Sequence, residues 1–405
     1  MGFGAFLVTF CASKKSPGAR GRGGPEDPSF WEEKSRCVPT RPVKGESDRS
    51  PRKNHLHGRR NPLRPQRKEK TPPAAGGGKK KVTTMKHIFI INPTAGKRDC
   101  TAELMSMAKA LGARHDLEVE CILTQRPGHA AETTRAIART GQPVRFYVCG
   151  GDGTLNEVAN GIIGFANAAM TCIPIGTGND FMRNFGDTAP LFSDAENLWD
   201  GPQFPLDAID CNGRCALTIA CSGFDAQVAH DVHRFGKSRL LGSQGSYIAS
   251  LSVNFLLRSL GHPWTITLDG QQVTGKFVLA TVCNGRYYGG GFMPVAEARM
   301  DDGVLHTLMV KQVSRPTFLK FVGHYAKGEY YLLPQLAQCS TAKEIVIESH
   351  GDDIVTCLDG ESIHSRRVVL RLAEGKVNFF GPRGCDPNAT CIPLPTEKTP
   401  VGCGL

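Results

Sequence analysis

One acid stands among three glycines where the chain reads VCGGDGTLNEVANG: Gly150, Gly151, Asp152, Gly153. Glycines let the backbone turn sharply and approach a ligand, and a helix beginning there aims free N–H groups into the turn, which favours phosphate. A carboxylate in such a turn opposes a bare phosphate. Asp152 therefore points to a divalent cation, or a water bridging to one, between acid and phosphate.

A second loop, NPTAGK, invites comparison with the Walker A phosphate loop and fails it. That pattern needs Gly five residues before the Gly-Lys pair and Ser or Thr after it, where this chain has Ile91 and Arg98. No Gly-x-Gly-x-x-Gly follows the first strand either, so a dinucleotide fingerprint is absent. Asn92, Gly96 and Lys97 still offer polar contacts at a strand end.

For these loops to act together, the elements between them must bring them to one edge. From Met85 the pattern alternates: HIFII, LEVECIL, VRFYV and TCIPI read as strands, and CTAELMSMAKALGA, HAAETTRAIART and LNEVANGII as helices between them. Such alternation predicts a parallel sheet covered by helices, with ligands at the carboxyl ends of the strands. NPTAGK, TQRPGH, GGDGT and GTGNDF fall after those ends and make one site. Beyond about residue 208 the texture becomes β-rich and antiparallel. Two helical stretches interrupt it, GSYIASLSVNFLLRSL and RPTFLKFVGHYAKG, with apolar faces expected to pack on the strands. The tail from Cys385 reads as a frayed end.

Taken together, NPTAGK, GGDGTLNEV and GTGNDFMRNFG resemble the catalytic domain of the diacylglycerol kinase superfamily, specifically the bacterial soluble lipid kinases, which are also similar to sphingosine and ceramide kinases. The resemblance runs from about Met85 to Gly381. It implies an α/β N-terminal domain with a parallel sheet, Rossmann-like and of the phosphofructokinase and NAD-kinase kind, plus a β-rich antiparallel sandwich. The boundaries expected are 1–84 for a leader, 85–208, 209–381, and 382–405 for a tail. ATP would bind between the domains and a lipid hydroxyl would be phosphorylated there, with Mg2+ as the metal.

Carried over by residue, the resemblance implies nucleotide contacts at Asn92, Gly96, Lys97, Thr124, Gly150, Gly151, Asp152, Gly153, Thr154, Leu155, Asn156, Glu157, Thr177, Asn179 and Asp180. ARMDDGVL resembles a structural magnesium site, giving the Asp302 side chain with the carbonyls of Arg299 and Val304. CLDGES resembles the segment supplying an acidic catalytic pair, Asp359 and Glu361, one of them the general base. Strand alternation would put residues 359 and 361 on one side of an extended segment, facing one site. CSGFDA and GRYYGGG are expected to line the acceptor side.

The formal charge of +11 is unevenly distributed: residues 1–84 hold 20 Lys+Arg against 7 Asp+Glu, and the rest 29 against 31. A basic excess confined to a Pro- and Gly-rich leader argues against nucleic acid as the partner of the folded part. The leader is expected to be disordered and not part of the native chain, with translation starting at Met85; if translated, it would tether to an anionic membrane or to nucleic acid. Fifteen cysteines without Cys-x-x-Cys spacing read as reduced thiols in a cytoplasmic protein. No apolar run reaches the roughly 18 residues of a membrane span, so contact with a membrane-held lipid substrate would be peripheral. A homodimer is among the open oligomeric states. Diacylglycerol leads as substrate, with sphingoid bases, phosphatidylglycerol, undecaprenol-like alcohols and other acylglycerols open. The competing readings are an NAD kinase, which also uses GGDGT, and a catalytically silent lipid- or nucleotide-binding protein.

Overall fold

A computed structural model of the chain describes residues 85–227 and 260–395. The leader, the helix expected over residues 245–260 (apart from Leu260) and the last ten residues lie outside the described residues.

β1 (Lys86–Ile91), β2 (Glu118–Leu123), β3 (Val144–Gly150) and β4 (Ala168–Pro174) form a parallel sheet in the order β2-β1-β3-β4. Between them run α1 (Thr101–His115), α2 (His129–Ala138) and α3 (Asp152–Ile162). The central strands KHIFII and VRFYVCG are almost continuously buried, as strands covered on both faces must be, while the edge strand β2 has no fully buried residue. β4 starts at Ala168, ahead of the expected TCIPI, because Ala168 to Met170 pair in register with Val144 to Phe146.

Non-local pairing completes this sheet. β17 (Val377–Phe380) returns from the far end of the chain to lie parallel to β4, and β5 (Gln203–Leu206) pairs antiparallel with β17. The segment expected to end the second domain at 381 thus gives its last strand to the first sheet. Aromatic burial accounts for the return: the Phe379 ring lies 5.3 Å from Phe181, 5.4 Å from Phe185 and 5.8 Å from Phe204, centroid to centroid.

The second sheet has eleven strands. β6 (Ile209–Cys211), β7 (Arg214–Ala216), β8 (Ile219–Gly223), β9 (His262–Leu268) and β10 (Gln271–Cys283) precede the long loop of residues 284–304. β11 (Leu305–Lys311), β12 (Ala337–Ala342), β13 (Glu344–Ser349), β14 (Ile354–Leu358), β15 (Glu361–Ser365) and β16 (Arg367–Leu372) follow it. The path runs β15-β14-β8-β10-β9-β13-β16-β6-β7, with β11 and β12 branching from β10. β10 pairs with β9 through its first half and with β8 and β11 through its second. α4 (Arg315–Tyr325), capped by Ser314, buries Phe318, Phe321 and Tyr325 against this sheet.

Asn212-Gly213, Asp269-Gly270 and Asp359-Gly360 join consecutive strands as two-residue turns in which both residues have positive φ. Within the described part of the tail, residues 385–391 are packed, contrary to the expectation of fraying. Asn388 is buried, and the buried Arg286 guanidinium donates to Pro387 O at 2.7 Å and Thr390 Oγ1 at 3.1 Å. A buried guanidinium without a carboxylate needs carbonyl and hydroxyl acceptors, and the tail supplies them. Among the described residues every cysteine is a thiol, with Cys149 and Cys172 in the core, and no helix is long and apolar enough to cross a membrane.

Candidate active site

Three loops at the carboxyl ends of the parallel strands meet at close range. A Cβ on Gly176 would fall 2.5 Å from Gly151 Cα, and one on Gly96 2.2 Å from Ile175 O. These glycines are needed for loop-on-loop contact. Gly153 differs, since nothing lies within 4 Å of where its Cβ would be. α3 starts at Asp152 with no side-chain cap on its first turn, so no capping side chain takes up its first backbone N–H groups.

Asp152 spends both oxygens on the neighbouring loop, accepting from Asp180 N and Phe181 N at 3.1 Å each. It anchors the helical turn beginning at Phe181. Asp180 accepts from Arg183 Nε at 3.0 Å and, from the second lobe, Gly290 N at 2.8 Å. Burial pushes its carboxyl above the ordinary range against the pull of the Gly290 amide, and the Asp152 charge adds to the rise. Asn179, at φ +50, donates to Gly176 O, and its Oδ1 is buried with no hydrogen-bond partner.

The other residues implied by the glycine-loop resemblance separate by role. Asn92 donates to Thr154 Oγ1 at 3.0 Å, tying β1 to α3. Lys97 and Thr177 are exposed, and Thr124 is fastened through its amide to Ile91 O. Leu155 is core. Glu157 turns away from the loop and accepts from Gly128 N at 2.9 Å and Ala130 N at 3.2 Å, capping α2 from outside. Asn156 faces the second lobe, donating to Cys215 O and to Asp359 Oδ2. Glu157 and Asn156 therefore do not face the open space at Gly153. They sit on other faces of a helix only part of which borders the loop.

The expected carboxylate pair is not a pair. Asp359 and Gly360 make the turn between β14 and β15, with φ of +44 and +100, so strand alternation does not apply across them. Asp359 points inward and accepts from Leu217 N (2.6 Å), Thr218 N (3.1 Å), Ile219 N (3.0 Å) and Asn156 Nδ2 (3.1 Å). Burial raises its carboxyl above the ordinary range, opposed by these donors. Glu361 points outward and ion-pairs with Arg214, both half-exposed.

Both lobes contribute to a cavity of about 330 Å³, bordered by Asp152 and Asp180 on the first and by Asp359, Phe224, Phe292 and Phe318 on the second. CSGFDA and GRYYGGG supply further lining through Cys221, Asp225, Tyr287, Tyr288 and Gly289. Inside it, Asp225 Oδ2 accepts from Tyr288 OH at 2.8 Å and Tyr325 OH at 3.1 Å. Burial holds the Asp225 carboxyl above its ordinary range despite both hydroxyls. Tyr325 was missed at sequence level because its helical spacing reads as core.

Asp302 lies in an exposed turn, its Oδ1 accepting from Val304 N at 3.2 Å, while Arg299 pairs with Asp301. One carboxylate with the carbonyls of Arg299 and Val304 is an all-oxygen donor set, which fits a hard cation.

Residues 86–211 match the diacylglycerol kinase catalytic domain, and residues 218–380 the YegS C-terminal NAD kinase beta sandwich-like domain. A diacylglycerol kinase of Mycobacterium tuberculosis is 31% identical over 214 residues, covering 51% of this chain and 67% of that protein. A diacylglycerol kinase of Staphylococcus carnosus is 27% identical over 278 residues, covering 67% and 87%. A crystal structure of a candidate diacylglycerol kinase from Bacillus anthracis superposes with a TM-score of 0.59 at 27% identity, over 73% of this chain and 96% of that one. With both lobes matched in order and the glycine loops meeting at the strand ends, the chain belongs to the diacylglycerol kinase-like family of lipid kinases.

Proposed function

We propose that this protein transfers the γ-phosphate of ATP to the hydroxyl of a membrane lipid, with diacylglycerol as acceptor and phosphatidic acid as product. The observation that carries the reading is the cavity itself: Asp152 and Asp180, from two of the glycine-bearing loops, border it on the first lobe, and a mainly apolar wall that includes Phe224, Leu279, Phe292 and Phe318 encloses Asp225 and Asp359 on the second. An NAD kinase would need polar walls for a second nucleotide, and the apolar ones favour an acyl chain.

On the nucleotide side, the amides at the start of α3 bind phosphate oxygens, and the space beside Gly153 admits them. Asp152, Asp180 and the unpartnered Asn179 Oδ1 form an oxygen-rich edge fit for Mg2+ with its waters. Magnesium, when bound, neutralises charge on the phosphate oxygens. The Asp302 turn would hold a second, structural ion.

On the acceptor side, the apolar walls exclude water and hold the lipid with its hydroxyl toward Asp359. In the resting geometry four N–H donors fill that carboxylate. The substrate hydroxyl must replace one of them before Asp359 takes its proton. The alkoxide oxygen then bonds to the γ-phosphorus as the bond to the bridging oxygen breaks and ADP leaves. Because the acceptor is held in a bilayer, the protein meets a membrane surface peripherally.

The test is mass spectrometry of products after incubation with ATP, Mg2+ and either a mixed lipid extract or NAD. A phosphorylated lipid is expected, phosphatidic acid foremost. NADP in place of a lipid product, or no product from either, overturns the reading.

A further inference from the structure

Away from the cavity, the loop before β11 and strands β11 and β12 bring together three side chains that the kinase reading does not use. Glu297, His306 and Cys339 each direct one donor atom to a common point, and the three atoms lie within 4.8 Å of one another. His306 and Cys339 share a sheet face: His306 pairs with Thr341, and Cys339 stands two residues along the same strand. Glu297 comes from the loop, where Ile392 N bonds to Ala296 O and Cys391 Sγ to Glu297 O, so its backbone is held from the tail.

Two of the donor atoms are unsatisfied. His306 is only 9% exposed, and its Nε2 is buried with no hydrogen-bond partner. Glu297 Oε2 is likewise buried and unpartnered, while Oε1 accepts from the Tyr330 hydroxyl. Asp302 Oδ2 stands 3.6 Å from His306 Nε2, beyond hydrogen-bonding reach. Unpaired buried polar atoms cost free energy, and two aimed at the same point beside a thiol are accounted for together by a cation.

We propose that Glu297 Oε2, His306 Nε2 and Cys339 Sγ bind one zinc-class transition-metal ion that fastens the loop before β11 to strands β11 and β12. A carboxylate, an imidazole and a thiolate are a mixed hard and soft set, which selects Zn2+ over Mg2+ or Ca2+. Tetrahedral bonds of about 2.0–2.3 Å bring donors to about 3.3–3.8 Å apart, so small side-chain rotations close the site. On binding, the Cys339 thiol loses its proton to solvent and a water completes the fourth position. Tyr330 orients the carboxylate as a supporting hydrogen bond commonly does around a metal. The same loop runs back to Tyr288 and Phe292 at the cavity, so the ion would steady that wall.

The test uses the full chain, stripped with a chelator, titrated with Co2+ and followed by absorption, then with Zn2+ against a chromophoric competitor. One equivalent of cobalt is expected to give a thiolate-to-metal charge-transfer band. Cys339→Ser and His306→Gln should each lose tight binding, Tyr330→Phe should weaken zinc about 10- to 100-fold, and Asp302→Asn should leave the band in place. Zinc should raise the melting temperature of the wild type and not that of Cys339→Ser. Absence of the band in the wild type overturns the proposal without recourse to any variant. Persistence of the band in Cys339→Ser, or equal competition by Mg2+, also overturns it.

Discussion

Asn156 Nδ2 donates to Asp359 Oδ2 at 3.1 Å, joining a helix of the first lobe to a hairpin turn of the second across 203 positions of sequence. The same carboxylate accepts three successive backbone amides, so it fastens the segment from Leu217 to Ile219 as well as bordering the cavity. Its neighbour Glu361 has only a surface partner.

Separate substitutions distinguish these acids. Asp359→Asn places an amide N–H2 against backbone donors and should cost about 1–3 kcal/mol, as a buried group left mismatched does, and abolish lipid phosphorylation. Glu361→Gln removes an exposed pair worth about 0–1 kcal/mol and should leave turnover near that of the wild type. Denaturant unfolding with a parallel kinase assay reads both; loss of turnover in Glu361→Gln with retention in Asp359→Asn would reverse the assignment.

Gly153 and Gly176 test whether a glycine serves the ligand or the fold. Gly176→Ala drives a methyl into Gly151 Cα and should destabilise by about 1–3 kcal/mol through forced backbone movement. Gly153→Ala meets nothing in the protein and should leave stability unchanged or raise it by up to about 1 kcal/mol, as Ala does in a helix. Its cost should appear only as a raised KM for ATP, in steady-state kinetics with ATP varied.

Glu157 should behave as a cap and not as a nucleotide ligand. Glu157→Ala frees the amides of Gly128 and Ala130 and should cost about 0.5–2 kcal/mol, with KM for ATP unchanged. A KM effect without a shift in melting temperature would contradict this role.

His87 should make stability fall in mild acid. It is buried in β1 beside the Tyr147 hydroxyl at 2.9 Å, and burial, aided by Arg145, lowers its pKa to about 4. Because the folded pKa lies below the unfolded value of about 6.5, the unfolded state binds the extra proton. The His87 contribution to stability is therefore full above pH about 6.5, falls toward pH 4 and levels off below it, a loss of on the order of 3 kcal/mol. Urea unfolding at pH 7 and pH 5 should show the loss, and His87→Gln should flatten it.

Legibility in the sequence followed the range of the interactions. The alternating pattern from Met85 set the parallel strands and placed Asn92, Asp152 and Asp180 at one edge, because the period of side-chain burial and the glycine turns are local properties. Asp-Gly was equally local evidence of a two-residue turn at Asp359, and reading through it as strand is what put Glu361 on the wrong side. What residues alone could not disclose were partnerships made across the chain. β17 crossing to the first sheet, the tail closing on Arg286, Glu157 capping α2 and Asn156 reaching Asp359 all satisfy buried rings or polar groups with partners from distant segments. Such matches depend on which surfaces meet after the lobes pack, so residue types and spacings supplied the candidates and burial in the tertiary structure chose among them.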